Sequence, residues 1–99
     1  MQLNQTNVDH TQLEFKGMNF TVYSKKGCPY CDKIKTVLSD LSVKKGCPVI
    51  CYELGTDFTR EEFYAEFGQG STFPQVVMET KHLGGCSDTV KYLAENSLL

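Results

Sequence analysis

The chain is predicted to fold as an α/β domain, a four-stranded mixed sheet flanked by helices in the order βαβ, then α, then a β-hairpin, then α. Three observations carry this prediction. An apolar, alternating run at Met18–Tyr23 is followed by Ile34, Val37, Leu38 and Leu41, the i, i+3, i+4, i+7 spacing of an amphipathic helix. A second β-prone run, Pro48–Leu54, comes next, and strand, helix, strand in that order implies a right-handed parallel crossover. Two further short runs then flank Thr80, Lys81 and His82, a hairpin connection ahead of a last helix.

Each element has its own signals. Residues 1–17 are polar and without clear period, an expected loose extension, leaving 18–99 as the domain. Phe20 and Val22 alternate with Thr21 and Tyr23, as a pleated strand requires. The first helix is expected over Pro29–Lys44, with proline at its first position, lysines in its last turn and Gly46 as a left-handed cap. Thr59-Arg60-Glu61-Glu62 has the form of a capping box, and Phe58 and Phe63 occupy the positions of a hydrophobic staple around it. That places the second helix at Arg60–Phe67, its aromatic run FYAEF serving the core. After a loop at Gly68–Ser71, a third strand is expected over Phe73–Glu79 and a short fourth one ending at Gly84. Ser87 is the candidate N-cap of the last helix, with Val90, Leu93 and Ala94 facing inward.

Composition narrows the function. The chain has 99 residues, the size of one domain that can fold around a single core. A net charge of -2 argues against nucleic acid or an acidic membrane as the main partner. The first residues, MQLNQTNVDHTQLEF, lack a basic start and a long apolar run, so no secretory signal is expected, nor any membrane span. A cytoplasmic monomer is the expectation. In such a setting structural disulfides are rare, and five cysteines read as reactive, metal-binding or buried groups.

The stretch KKGCPYCD, Lys25–Asp32, carries the chemistry. Cys28 and Cys31 fall between a strand and a helix, on the helix's first turn. The first backbone N–H groups of a helix have no intrahelical partner, and the aligned peptide dipoles favour negative charge there. A thiol so placed loses its proton more readily, and the thiolate is the nucleophile of disulfide exchange. Lys25 and Lys26 act in the same direction. Cys28 is therefore expected to be the exposed attacking sulfur, and Cys31, one turn in, the more buried resolving one.

Two further motifs converge on this pair. Thr72-Phe73-Pro74 opens a strand on a proline, which by itself is ordinary edge punctuation. Gly84-Gly85-Cys86-Ser87-Asp88 precedes a helix; it reads either as turn and cap or as an anion site built from helix N–H groups. CPYC, TFP and GGCSD, in this order and at these spacings, resemble the dithiol class of glutaredoxins over residues 18–97. The resemblance implies a thioredoxin-like fold, with Cys28 as nucleophile, Cys31 as resolving thiol and Pro74 as a cis-proline facing them. It also implies a groove for glutathione. Backbone at Phe73, next to Thr72, would pair with the cysteinyl part. Ser87 and backbone around Cys86 would take the γ-glutamyl carboxylate, and Asp88 its ammonium. Lys25 would reach the glycyl carboxylate, and Tyr30 would form a wall. The activity so implied is reduction of protein disulfides and glutathionylated thiols, with glutathione as electron-donating co-substrate and no bound cofactor.

The chain departs from the family's common pattern at Phe73, where valine is usual, and at Ser71, where many members carry a basic residue. Neither touches the chemistry; both bear on glutathione affinity. Of the other cysteines, Cys51 is expected to be buried in a central strand and Cys47 to be a surface or loop thiol. Cys86 matches the family motif through its backbone, and His10 and His82 read as solvated surface residues. Two alternatives use the same cysteines. Cys28, Cys31, Cys47 and Cys51 give C-x2-C-x15-C-x3-C, near the spacing of a zinc ribbon, but that reading leaves TFP and GGCSD without a role. An iron–sulfur carrier bridging two chains is disfavoured by the stiff Pro29 after the first cysteine.

Overall fold

The computed structural model describes residues 18–99. The expected extension, residues 1–17, and His10 within it lie outside the described residues. The element order is β1 (Phe20–Ser24), α1 (Pro29–Lys45), β2 (Val49–Glu53), α2 (Arg60–Phe67), β3 (Gln75–Met78), β4 (Lys81–Gly84) and α3 (Cys86–Glu95). The strands form one sheet in the order β2-β1-β3-β4. β1 and β2 run parallel, joined through α1, while β3 is antiparallel to both β1 and β4. The predicted mixed sheet of four strands is the one observed. None of the described helices is long and apolar enough to cross a membrane.

The alternation in β1 decides how the layers pack. Phe20, Val22 and Ser24 are buried. The two hydrophobic ones join Val76 and Met78 of β3 with Ile34, Leu38 and Leu41 of α1 and Leu93 of α3 in one core. Burying an aliphatic side chain of this size contributes about 1.5–3 kcal/mol. The exposed Lys44–Asp40 pair on the same helix, 3.1 Å apart, belongs to a class worth about 0.3–0.5 kcal/mol. The apolar face, not surface charge, therefore fixes α1 to the sheet. On the opposite face Tyr23 meets Phe58 at 5.3 Å and Phe67 at 5.0 Å between ring centroids, so α2 and its leading loop cover that side with aromatic rings.

The helix ends follow local chemistry. Pro29 begins α1, and Gly46 ends it in the left-handed region, φ 72°, donating its N–H to the Ser42 carbonyl at 2.9 Å. Thr59 and Glu62 form the reciprocal capping box, with bonds of 2.8 and 3.1 Å, and the Phe58 and Phe63 rings stack beside it.

Several expectations need correction. The Phe73–Pro74 peptide is cis, as expected, and β3 begins at Gln75, not Phe73, because Pro74 has no N–H to give to the ladder. The hairpin reverses at Glu79 and Thr80, with Glu79 at φ 57°, so Lys81 and His82 already belong to β4. His82 lies against Glu66 of α2 at 2.8 Å. The N-cap of α3 is Gly85, and Ser87 falls inside the first turn. Cys86, Thr89 and Leu93 face inward and Val90 packs against the core as expected, while Ala94 is exposed. Finally, Cys47 and Cys51 exchange places: Cys47 is buried in the core, while Cys51 is exposed, because β2 lies at the edge of the sheet.

The aromatic face has a consequence at alkaline pH. Burial raises the Tyr23 phenol above its ordinary 10.0, and the nearby Glu66 carboxylate and Tyr52 add to the effect. A raised native pKa stabilises the fold fully below the unfolded value, and that contribution is lost as pH rises through the native one. Unfolding free energy, measured by denaturant titration across this alkaline range, is expected to fall less steeply in Tyr23→Phe than in the parent chain.

Candidate active site

β1 ends at the buried Ser24, whose hydroxyl donates to the Tyr52 carbonyl at 2.9 Å. The chain then turns through Lys25, Lys26 and Gly27, the last at φ 69°, and delivers Cys28 to the N-cap of α1. Cys28 and Cys31 are joined as a disulfide, with their Cα atoms 5.2 Å apart. The Cys31 backbone N–H donates to the Cys28 sulfur at 3.1 Å. That sulfur thus fills the place of an N-capping oxygen, and one of the orphan donors of the helix end is aimed at it. Cys28 keeps 6% exposure and Cys31 none. Both residues are thus buried, and the expectation of an exposed Cys28 is not met, because its sulfur is bonded to Cys31 and turned over the start of α1. The two lysines diverge. Lys26 reaches Glu53, 3.7 Å away, while the Lys25 ammonium stands over the Phe73 ring.

Beside the cysteines lies an open groove of about 300 Å³, lined by three segments: Tyr30 of α1, Thr72 to Gln75, and Gly84 to Asp88. Of the residues expected at a ligand groove, Tyr30, Thr72, Phe73, Pro74, Cys86, Ser87 and Asp88 come together there. Lys25 is not a lining residue and meets the groove only through Phe73. Gly84 and Gly85, which the sequence places in the same motif as Cys86, Ser87 and Asp88, complete the lining with Gln75. Gln75 carried no sequence signal; its side chain folds back to donate to the Thr72 carbonyl at 2.9 Å.

The glycines shape the end of the groove at the start of α3. Gly84 has φ +101°, and a Cβ there would stand 2.8 Å from an Asp88 carboxylate oxygen. Its missing side chain lets that carboxylate fold against the turn. Gly85 has no side chain with which to cap α3. The groove thus combines first-turn N–H groups, suited to an anion, with the Asp88 carboxylate, suited to a cation.

The four-cysteine zinc reading finds no ligand set. Among the described residues no three histidine, cysteine, aspartate or glutamate side chains come together to hold a metal. Cys47 belongs to the core and Cys51 faces outward from the edge strand.

A Cys-x-x-Cys disulfide at a strand-to-helix turn, on this four-stranded sheet, defines a thiol–disulfide oxidoreductase of the thioredoxin-like fold. Comparison with known proteins narrows the class. The glutaredoxin family model matches residues 20–83. The chain is 35% identical over 71 residues to glutaredoxin 3 of Escherichia coli K12, covering 71% of this chain and 80% of that one. It is 31% identical over 80 residues to human glutaredoxin-1, covering 79% and 76%. The solved structure of reduced Escherichia coli glutaredoxin superposes with a TM-score of 0.71 at 25% identity, over 81% of this chain and 98% of that one. A buckwheat glutaredoxin–glutathione complex shares the fold, with a TM-score of 0.60 at 23% identity, over 95% and 84%. The chain belongs to the glutaredoxin family.

The glycine pair can be tested directly. Gly84→Ala is expected to lower stability by more than about 1 kcal/mol, because the new Cβ both strains a positive φ and meets Asp88. Gly85→Ala should cost less, since its Cβ would find only the Pro74 carbonyl at 3.5 Å, an ordinary contact. Denaturant midpoints of the two variants check the order.

Proposed function

We propose that this glutaredoxin uses reduced glutathione to reduce protein disulfides and glutathione mixed disulfides, with Cys28 as the attacking sulfur and Cys31 as the resolving one. The observation that carries the reading is the helix-end N–H of Cys31 directed at the Cys28 sulfur, beside a groove with places for charges of both signs. A hydrogen bond to a charged sulfur favours that charge, so once the disulfide is reduced this N–H supports the Cys28 thiolate that attacks.

The Cys28 thiolate attacks one sulfur of a substrate disulfide. A new S–S bond forms to Cys28, the old one breaks, and the departing thiolate takes a proton. On a protein disulfide, Cys31 then attacks the Cys28 sulfur, releasing the second substrate thiol and closing the Cys28–Cys31 disulfide. On a glutathionylated protein the deglutathionylated thiol leaves first, and a second glutathione attacks the glutathione held on Cys28. After a protein disulfide is reduced, two glutathione thiols reopen the Cys28–Cys31 disulfide in turn and leave as one glutathione disulfide; on a glutathionylated protein, one free glutathione thiol and the substrate's own glutathione make that disulfide. No bound organic cofactor or metal takes part in these steps. A reducing, cytoplasmic setting suits them, with an NADPH-dependent reductase returning glutathione to its thiol form.

Glutathione is read into the groove by charge. Its γ-glutamyl carboxylate belongs at the start of α3, on Ser87 and the backbone around Cys86, and its ammonium on Asp88. Its cysteinyl backbone pairs with Phe73 beside Thr72 and Pro74, in the manner of an added strand. Tyr30, 63% exposed, forms the outer wall, and Lys25 serves the glycyl carboxylate.

Asp88→Ala is expected to raise the glutathione concentration needed for half-maximal turnover. As a first-turn acid it contributes only about 0.3–1 kcal/mol to its helix, so the thermal midpoint should move little. Unchanged glutathione dependence would take Asp88 out of the site.

The sulfur roles separate in a second experiment. Cys28→Ser should abolish exchange on every substrate. Cys31→Ser keeps the backbone N–H at the Cys28 sulfur, so it should still deglutathionylate, while losing most activity on protein disulfides. Both variants are to be assayed on both substrates, with glutathione and then thioredoxin reductase as electron source. Equal loss for both variants on the glutathionylated substrate would reverse the assignment. Activity of the parent chain with thioredoxin reductase alone would overturn the dependence on glutathione.

A further inference from the structure

The Lys25 ammonium stands over the Phe73 ring, 5.4 Å from its centroid. The ring is itself held in place. Phe63 stacks on it with centroids 4.1 Å apart and 12° between planes, and Phe58 lies further off at 6.2 Å and 22°. Phe63 is 1% exposed, so this stack is rooted in the buried face of α2. Lys25, in contrast, lies on the exposed turn between β1 and α1, and its long side chain has much rotamer freedom to lose.

The surroundings leave this lysine a specific task. No lysine or arginine is found among the described residues lining the groove. Lys26 is drawn away to Glu53. Ser71 is turned back into the fold, its hydroxyl donating to the Phe67 carbonyl at 2.7 Å. Among the described residues, Lys25 is the cation that stands against the Phe73 ring. The negative face of an aromatic ring attracts an ammonium without consuming all of its donors, so N–H groups remain for a carboxylate. A leucine in the same place would fill the space and offer no such attraction.

We propose that Phe73 is a positioning residue, whose ring holds the Lys25 ammonium at the groove and makes the site selective for a ligand with a carboxylate at that end. The inference deepens the glutathione reading and rests on it. It assigns to an aromatic side chain, anchored by α2, part of the discrimination that the lysine alone would perform less well.

The test compares mixed disulfides of one thiol with glutathione and with glutathione glycine-amide, which lacks the terminal carboxylate. The parent chain is expected to show a lower KM for the glutathione form. Phe73→Leu should reduce this preference about two- to fivefold, in line with an exposed cation–π contact, and Phe73→Tyr should retain it. Lys25→Met should reduce it too, and Phe73→Leu combined with Lys25→Met should lose no more than Lys25→Met alone. Trifluorinated phenylalanine at position 73 keeps the ring and its stack while draining negative potential from its face. It should lower the preference as leucine does, and it carries the test if the leucine variant does not fold. Full preference in the leucine or fluorinated protein, or an equal rise in KM for both substrates, would overturn the role of Phe73. A parent chain that makes no distinction between the two substrates would instead overturn the placement of the glycyl carboxylate beside Lys25.

Discussion

The N–H of Cys31 donating to the sulfur of Cys28 is the contact on which the site depends. It exists because a strand ends, the chain turns at Gly27, and a helix begins with its first sulfur at the cap. The polarity of the helix then works on that sulfur, and Pro29 begins the helix without an unmet donor of its own. Everything that holds α1 at its angle to the sheet also holds this contact. Ile34, Leu38 and Leu41, packed on Phe20, Val22, Val76 and Met78, supply most of that restraint. The core and the reactive sulfur are thus two ends of one helix.

The second face of the sheet reaches the site by another route. Tyr23, Phe58, Phe63 and Phe67 form an aromatic layer under α2, and Phe73 extends it into the wall of the groove. Stacked rings of this kind carry large buried area and restrict one another's orientation. The loop holding Phe73 and Pro74 is therefore gripped on its outer side by rings while its inner side meets the groove. The groove on one side and helix packing on the other are joined through a single side chain.

Much of the fold was legible in local pattern. The capping box at Thr59–Glu62, the left-handed cap at Gly46 and the proline opening α1 each rest on a few consecutive residues, and each stands where the sequence places it. The groove was legible by resemblance of three short motifs, whose residues do converge. Misreadings came where an element's surroundings mattered. Cys51 looked buried because its strand is apolar, yet β2 is an edge. Cys47 looked like a loop residue, yet the turn after α1 returns it to the core. Ser87 looked like a cap because serine is a good one, but the glycine two residues earlier takes the position.

What the sequence by itself determined is the set of elements and the chemistry each carries: a strand, a thiol pair at a helix start, a proline loop, a glycine pair before a helix. These depend on spacing and on side-chain preference, which are properties of neighbouring residues. Tertiary structure decided the order of strands, and with it which cysteine is covered and which is exposed. It also decided that the two adjacent lysines part, Lys26 to Glu53 and Lys25 to Phe73. Such outcomes depend on groups brought together from distant parts of the chain, and no local pattern records which of two neighbouring cations will meet a carboxylate and which a ring.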